Sequence, residues 1–188
     1  MVVAPPTAAA RIISPFGWRK IAGKWDLHTG TDFAGREGDP AFAILSGTVR
    51  GIYESGALAN YGNTIVLEHA PALYSLYAHL QTIAVDPGEP VTAGQQIGRI
   101  GCTAGTRADP GRRCQNPHLH YEFLDRWPPT GIDLNRLDPS AVIEALQTGE
   151  RPQPPALPPP RAPARYSPGL LVFVALYFLT LKKKAPRA

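Results

Sequence analysis

Histidine and aspartate residues occur at spacings that suit a metal site. His118 and His120 are separated by one residue in a segment of alternating apolar residues, which is typical of a β-strand. Side chains of a strand alternate between its two faces, so both imidazoles point the same way and Leu119 points the other way. His28 and Asp32 stand four residues apart in an earlier segment that contains glycine.

These residue types would supply the ligands of a catalytic zinc ion. Such an ion is held by three protein ligands of the histidine and carboxylate type, and water takes the fourth position. His28, Asp32 and one histidine of the later strand would form such a set. His79, which follows Tyr77 and Ala78 at the expected end of another apolar strand, adds a further imidazole.

The elements that must position these residues are predicted to be short strands. Between residues 11 and 138, segments rich in β-branched and aromatic residues alternate with Gly, Asn and Pro. Clear examples are Gly47–Tyr53, Asn63–Glu68 and Leu73–Ala78. One helix is predicted from Pro139 to Leu146, with Asp138 as its N-cap. The pattern predicts a mainly β fold, an antiparallel sandwich or barrel with one short C-terminal helix.

Charge is distributed unevenly along the 188 residues. Residues 1–147 hold 12 Lys/Arg and 14 Asp/Glu, a net charge of −2, whereas residues 148–188 hold 7 Lys/Arg and one Glu, a net charge of +6. The overall charge of +4 therefore belongs to the tail. Because the folded part lacks the basic patch of a nucleic-acid binder, nucleic acid is excluded as the main partner.

The tail has a composition of its own. Eight prolines fall between Pro152 and Pro168, so residues 148–168 are predicted to form a stiff, proline-rich linker. Residues 169–181 carry no charge and precede three lysines. We expect residues 169–184 to be a short apolar helix that anchors the chain in a membrane. Its 13 uncharged residues are fewer than the ~20 that span a bilayer, so a buried or interfacial helix is the alternative.

The two cysteines of the chain flank a polar loop rich in glycine and arginine. A disulfide between Cys102 and Cys114 would close this loop, and it implies an oxidising compartment. The alternative is two unrelated thiols. A zinc finger is not expected, because no further cysteine is present.

Taken together, the motifs resemble those of the lysostaphin-like, or LytM-type, zinc metallopeptidases, which cut peptide bonds in bacterial peptidoglycan. The order of His-x₃-Asp, Tyr-Ala-His and His-x-His is highly specific, and the resemblance extends over residues 14–123. It rests on Ser14–Arg19, His28–Ala34, Gly38–Pro40, Gly47–Val49, Tyr61–Asn63, Leu76–Leu80, Gly94–Gly98 and Pro117–Glu122.

The resemblance implies roles for five residues. His28, Asp32 and His120 would bind Zn²⁺, and His79 and His118 would stand beside the ion as catalytic residues that exchange protons and stabilise the oxyanion. Because all five positions are intact, the resemblance favours a peptidoglycan endopeptidase. The alternative is a cell-envelope binding or regulatory module that keeps the fold and activates another wall hydrolase.

Other residues near the motifs have more than one interpretation. Glu122 would be a general base, a support for a ligand or a surface carboxylate. His69 is expected to have no role at the site. The loop from Gly101 to Asn116 is longer than is usual in the family, and we expect it to shape substrate choice. Four aromatic residues would either line a groove for an extended peptide or pack internally: Trp18, Trp25, Tyr53 and Tyr61.

The domain organisation that follows is a lysostaphin-like zinc peptidase domain at 11–147, a linker at 148–168 and a membrane anchor with a basic tail at 169–184. The expected location is the cell envelope, with the peptidase domain outside the cytoplasm. The expected partners are the peptides of peptidoglycan and, through the C-terminal segment, the membrane. Residues 1–10 lack the basic and apolar regions of a usual signal peptide, so none of that kind is predicted there.

Overall fold

The structure, a computed structural model, describes residues 2–58, 60–127 and 136–148. Within these ranges the chain forms twelve strands and one helix. They are β1 (Ile12–Ser14), β2 (Gly17–Ile21), β3 (Lys24–His28), β4 (Thr31–Ala34), β5 (Pro40–Phe42), β6 (Gly47–Tyr53), β7 (Asn63–Ala70), β8 (Leu73–Ile83), β9 (Pro90–Val91), β10 (Gln96–Thr103), β11 (Arg113–Leu124), β12 (Arg136–Leu137) and α1 (Pro139–Thr148).

The predicted linker beyond Thr148 and the predicted anchor at 169–184 lie outside the described residues. In the part of the chain that is described, no helix has the length and apolar character needed to cross a membrane. The membrane anchor therefore stays a prediction.

Ten strands form one sheet, and β2 and β3 form a separate two-stranded ribbon. The sheet has the order β1-β4-β11-β10-β8-β7-β6-β9, with β12 paired to β11 and β5 paired to β10; β11 also pairs with β8. All strand pairings among the described residues are antiparallel. The prediction of a mainly β, antiparallel fold with one short C-terminal helix is thus confirmed.

The main hydrophobic core lies against one face of the central strands. Ile65 of β7 and Leu119 and Tyr121 of β11 are buried there, while Val66 packs in a smaller cluster on the opposite face. Burial of each large apolar side chain contributes roughly 1.5–3 kcal/mol to folding. This alternation holds β11 in place with His120 on the face opposite the main core.

Helix α1 packs its Val142 into the main core. It begins at Pro139 as predicted and ends two residues later than predicted, at Thr148. The Asp138 carboxylate accepts a hydrogen bond from the Ser140 amide at 2.9 Å, and the Asp138 carbonyl accepts one from the Val142 amide at 3.0 Å. Asp138 is therefore the N-cap that the sequence predicted.

Candidate metal centre

Three side chains converge where β3, β4 and β11 meet. His28 is the last residue of β3, and the register of β4 with β11 sets Asp32 directly opposite His120. Asp32 Oδ1 lies 3.1 Å from His28 Nε2 and 2.8 Å from His120 Nδ1, and these two nitrogens are 3.2 Å apart. The two imidazoles are buried and the carboxylate is nearly so.

Neighbouring acceptors decide which ring nitrogen of each histidine carries the proton. Nδ1 of His28 donates to the Pro15 carbonyl at 2.8 Å, and Nε2 of His120 donates to Glu122 Oε1 at 3.1 Å. A carbonyl and a carboxylate only accept, so these nitrogens hold the hydrogens. His28 Nε2 and His120 Nδ1 are left to face Asp32 with their lone pairs.

This donor set fits a zinc ion. Three electron-rich atoms facing one another repel, and a cation between them relieves that repulsion. Ligand atoms around tetrahedral zinc lie about 3.3 Å apart for bonds of about 2.0–2.1 Å, close to the separations observed here. Within the described residues the His28–Asp32–His120 cluster is the group of ligand atoms close enough to share one ion.

The electrostatics of the cluster favour a cation too. Burial opposes ionisation of Asp32, but the His120 and His28 rings, when protonated, outweigh it and hold the pKa of this carboxyl well below its usual range. Burial opposes a charge on His120 as well, yet Asp32 and Glu122 raise the pKa of this imidazole to about 9. The surroundings therefore stabilise a negative charge on Asp32 and a positive charge next to it.

Gly30→Ala should disturb the metal ligands. Gly30 occupies the turn between β3 and β4, and a Cβ added there would overlap the Tyr121 carbonyl oxygen and lie 2.8 Å from His120 Cε1. Since the backbone of β11 cannot yield without moving His120, we expect a loss of stability of about 1–3 kcal/mol, as for other overpacked sites, and weaker zinc binding. Thermal unfolding and zinc competition would measure both.

The control for this substitution is Gly111→Ala. An added Cβ at that exposed loop position meets nothing closer than 3.9 Å, so stability and zinc affinity should stay at the wild-type level. Gly30→Ala with wild-type stability and affinity would contradict the steric argument.

Two further imidazoles stand beside the cluster. The His118 ring donates from Nδ1 to the Asn116 carbonyl at 2.8 Å, and the His79 ring donates from Nδ1 to the Thr103 carbonyl at 2.7 Å. Both rings thus keep a lone pair at Nε2. The ring centroids are 4.7 Å apart, and His118 Nε2 lies 3.7 Å from Asp32 Oδ1. Burial first, and then the neighbouring histidines, lower the pKa of His79 to about 3, which keeps its ring neutral.

His79 reaches this face through an irregularity of β8. The sequence predicted it at a strand end, but β8 continues to Ile83. Its φ of 62° lies in the left-handed region, which is uncommon for any residue except glycine, and its amide donates to the Tyr61 carbonyl. In a regular strand Ala78 and His79 would face opposite sides, and Ala78 pairs with His120. The local bulge brings the His79 ring to the histidines of β11.

An open cavity of about 490 Å³ gives access to the cluster. Of the four aromatic candidates, Tyr61 lines this cavity. Trp25 lies on the β2–β3 ribbon, 52% exposed. Tyr53 packs against Trp127 and accepts a hydrogen bond from its indole, and Trp18 pairs with Leu27 within the ribbon. One of the four therefore borders the site directly.

The structure distinguishes the three interpretations of Glu122. Its side chain is fully buried and does not line the cavity. It accepts hydrogen bonds from His120, Thr29 and Tyr61 and pairs with Arg136. It therefore orients the His120 ring, as carboxylates behind metal-binding histidines do, and it is neither a surface carboxylate nor placed in the cavity as a general base. His69 bonds to the Ser46 carbonyl and the Ser75 hydroxyl and does not line the cavity either.

The disulfide is present between Cys102 and Cys114. It joins the end of β10 to the start of β11, and Cys114 Sγ lies 3.9 Å from His118 Nδ1. The segment that it anchors includes the Asn116 carbonyl, which orients the His118 ring. The cross-link thus stabilises the loop from which one of the two additional imidazoles is positioned.

Replacing Cys102 and Cys114 together by serine should lower the free energy of unfolding by about 3 kcal/mol, the chain-entropy value for a loop of this length. Turnover should fall as well, because Asn116 is no longer held beside His118. Chemical unfolding with and without reductant would measure the first effect. A reductant should destabilise the wild type and leave the double variant unchanged. Equal stability of the wild type and the double variant without reductant would contradict the prediction.

Sequence reasoning missed the groups that orient the rings. The acceptors are main-chain carbonyls of Pro15, Thr103 and Asn116, which carry no side-chain signature. The role of Arg136 was also missed, because it lies fourteen positions after Glu122 and no spacing rule connects the two residues.

Comparison with known families agrees with this geometry. The model of peptidase family M23 matches residues 26–135. The DD-carboxypeptidase/endopeptidase Mpg of Neisseria meningitidis is 38% identical over 119 residues, 62% of this chain and 25% of Mpg. Lipoprotein NlpD of Yersinia enterocolitica is 42% identical over 92 residues, 49% of this chain and 84% of that protein. The chain thus spans about a quarter of Mpg.

Solved structures show the same fold. The catalytic domain of the prophage-encoded M23 protein EnpA from Enterococcus faecalis has a TM-score of 0.59 at 27% identity, over 74% of this chain and 97% of that one. The catalytic domain of lysostaphin from Staphylococcus simulans has a TM-score of 0.57 at 27% identity, and the match covers 71% of this chain and 92% of that one. A zinc-containing peptidase from Vibrio cholerae has a TM-score of 0.56 at 32% identity, and the match covers 71% of this chain and 41% of that one. The predicted resemblance is confirmed.

Proposed function

Because the chain belongs to peptidase family M23, the family of lysostaphin, we propose that it is a zinc metalloendopeptidase that hydrolyses peptide bonds of bacterial peptidoglycan. The observation that carries this proposal is the convergence of ligand atoms from His28, Asp32 and His120, with two further imidazoles, those of His79 and His118, beside them. A module that only binds peptides does not need the His79 and His118 imidazoles, because it transfers no protons.

His28, Asp32 and His120 would hold the metal, since His28 Nε2, Asp32 Oδ1 and His120 Nδ1 face one another. When bound, zinc would activate a water molecule and polarise the scissile carbonyl. The Pro15 carbonyl and the Glu122 carboxylate keep the two ligand rings in the required tautomers.

His79 and His118 are the catalytic residues. Each ring is oriented by a main-chain carbonyl at Nδ1 and presents Nε2 to the reacting atoms. Nε2 accepts a proton from the attacking water and returns it to the leaving amine. In its protonated form the same nitrogen donates a hydrogen bond to the oxyanion of the tetrahedral intermediate.

The open cavity suits an extended peptide rather than an enclosed small molecule. The β2–β3 ribbon contributes Arg19 and Asp26 to the lining of the cavity, and the start of β11, next to the disulfide, contributes Asn116. Mpg is a DD-carboxypeptidase/endopeptidase, so a bond between two D-configured centres of a peptidoglycan peptide is the first one to test.

The site of action is the cell envelope, outside the cytoplasm. The Cys102–Cys114 disulfide supports an oxidising compartment, and the names of relatives refer to peptidoglycan peptidases and a lipoprotein. Residues 169–184 are the proposed membrane anchor and 148–168 the linker, beyond the peptidase domain at 11–147.

The experiment is a zinc determination and a cleavage assay with the full chain. Purified peptidoglycan is incubated with wild type, with His118→Ala and with a chelator-treated sample, and the new amino ends are counted. The proposal predicts that the wild type and His118→Ala both bind zinc and that only the wild type releases amino ends. A protein without zinc, or amino ends released equally by all three samples, would refute it.

A second candidate is a binding or regulatory module of the cell envelope. It is favoured by relatives whose names describe a lipoprotein and a cell division protein rather than a peptidase. The same experiment separates the two functions. Zinc bound by a wild-type chain that cleaves no peptidoglycan would support the module, because its ligands would then serve the fold alone.

A further inference from the structure

A buried carboxylate connects the metal ligands to the short strand β12. Glu122 is fully buried. Its Oε1 accepts hydrogen bonds from His120 Nε2 at 3.1 Å, from the Tyr61 hydroxyl at 2.8 Å and from the Thr29 hydroxyl. Its Oε2 accepts one from Arg136 Nε at 3.1 Å. Oε1 is therefore hydrogen-bonded to residues around the metal site, and Oε2 is hydrogen-bonded to Arg136 of β12.

Arg136 lies outside the segment that matches the family. The match ends at residue 135, and Arg136 is the first residue of β12, where it pairs with Leu124 of β11. Its side chain is only 10% exposed. A second guanidinium nitrogen, Nη2, donates to the Tyr61 hydroxyl at 3.1 Å. Arg136 thus contacts Glu122 directly and through Tyr61.

This double contact determines the orientation of the carboxylate. A buried charge is costly unless it is paired and hydrogen-bonded, and the planar guanidinium holds its partners in a fixed geometry. Without Arg136, Oε2 would have no partner among the described residues, and the carboxylate could rotate away from His120. The His120 ring would then lose the bond that presents Nδ1 to the cluster.

We propose that Arg136 is a positioning residue, which acts through Glu122 and Tyr61 to hold the His120 ring in its metal-binding orientation. The strand after the family segment thereby completes the metal site. This inference rests on the proposed function, since it concerns the zinc ligand His120.

The test measures the zinc dissociation constant of the full chain by competition with a chromophoric chelator. Arg136→Gln should weaken zinc binding about 10-fold or more, the range found for groups that orient metal ligands. Arg136→Lys should recover part of the affinity, because lysine keeps the charge and loses the fork that reaches Tyr61. Arg50→Gln, at an exposed Arg–Glu pair on β6, is the matched control with wild-type affinity.

A double substitution separates this route from a general loss of stability. Glu122→Gln alone should weaken zinc binding, and adding Arg136→Gln should then have little further effect, because both act on the same ring. Additive losses, or wild-type affinity in Arg136→Gln, would overturn the inference. Should Arg136→Gln not fold, Arg136→Lys decides: weaker binding supports positioning and unchanged binding refutes it. A wild type that binds no zinc would instead refute the proposed function.

Discussion

Asp32→Ala is expected to lose its zinc and, with it, measurable hydrolysis of peptidoglycan. Asp32 Oδ1 lies within 3.1 Å of both histidine ligand atoms and is the only carboxylate oxygen in that described cluster. Two neutral imidazoles remain in the variant, too few for a site that uses three protein ligands. Metal analysis after dialysis and the amino-end assay would measure the two losses together.

Asp86→Ala is the matched control for this variant. Asp86 is an exposed aspartate remote from the cluster, and its replacement should leave zinc content and turnover unchanged. Circular dichroism of metal-free wild type and Asp32→Ala would show whether the variant is folded. Zinc retained at the wild-type level by a folded Asp32→Ala would contradict the ligand assignment.

His118→Ala is expected to keep its zinc and to lose turnover by about 10²–10⁴-fold, the usual contribution of a general acid or base. The His118 ring is oriented by the Asn116 carbonyl, and its Nε2 lies 3.7 Å from Asp32 Oδ1, too far for a hydrogen bond. The same combination of retained metal and lost turnover is expected of His79→Ala. Zinc content and initial rates should be measured on the same preparations.

His69→Gln provides the comparison for both histidine variants. His69 bonds to Ser46 and Ser75 and does not line the cavity, so its replacement should leave the rate per folded molecule unchanged. If His118→Ala released the metal, His118 would be a ligand and the division of the histidines into two classes would be wrong.

Local pattern was enough to predict the fold class, several of the strands and the helix. The strands that begin at Gly47, Asn63 and Leu73 follow from β-branched and aromatic residues between turn formers. The helix start follows from Asp138 before Pro139. These features depend on residues that are close together in the chain, so they can be predicted from the sequence.

The side-chain chemistry of the site was partly predictable for the same reason. Side chains alternate between the two faces of β11, so His118 and His120 must share one face and Leu119 must lie on the other. The burial of Leu119 in the core agrees with this. The motifs identified the residues that converge. Motifs do not describe hydrogen bonds to main-chain carbonyls, so the tautomers of the rings could not be read from them.

The sequence by itself determined the antiparallel β class and the short helix through local pattern, and, through its resemblance to a known family, the family and the five residues that gather at the cavity. Only the tertiary structure decided how they work together. It set Asp32 opposite His120 through strand register, turned His79 onto their face through a left-handed backbone, and brought Arg136 to Glu122. Register, bulges and ion pairs between distant strands depend on how the whole chain packs, because no local run of residues contains both partners of such a contact.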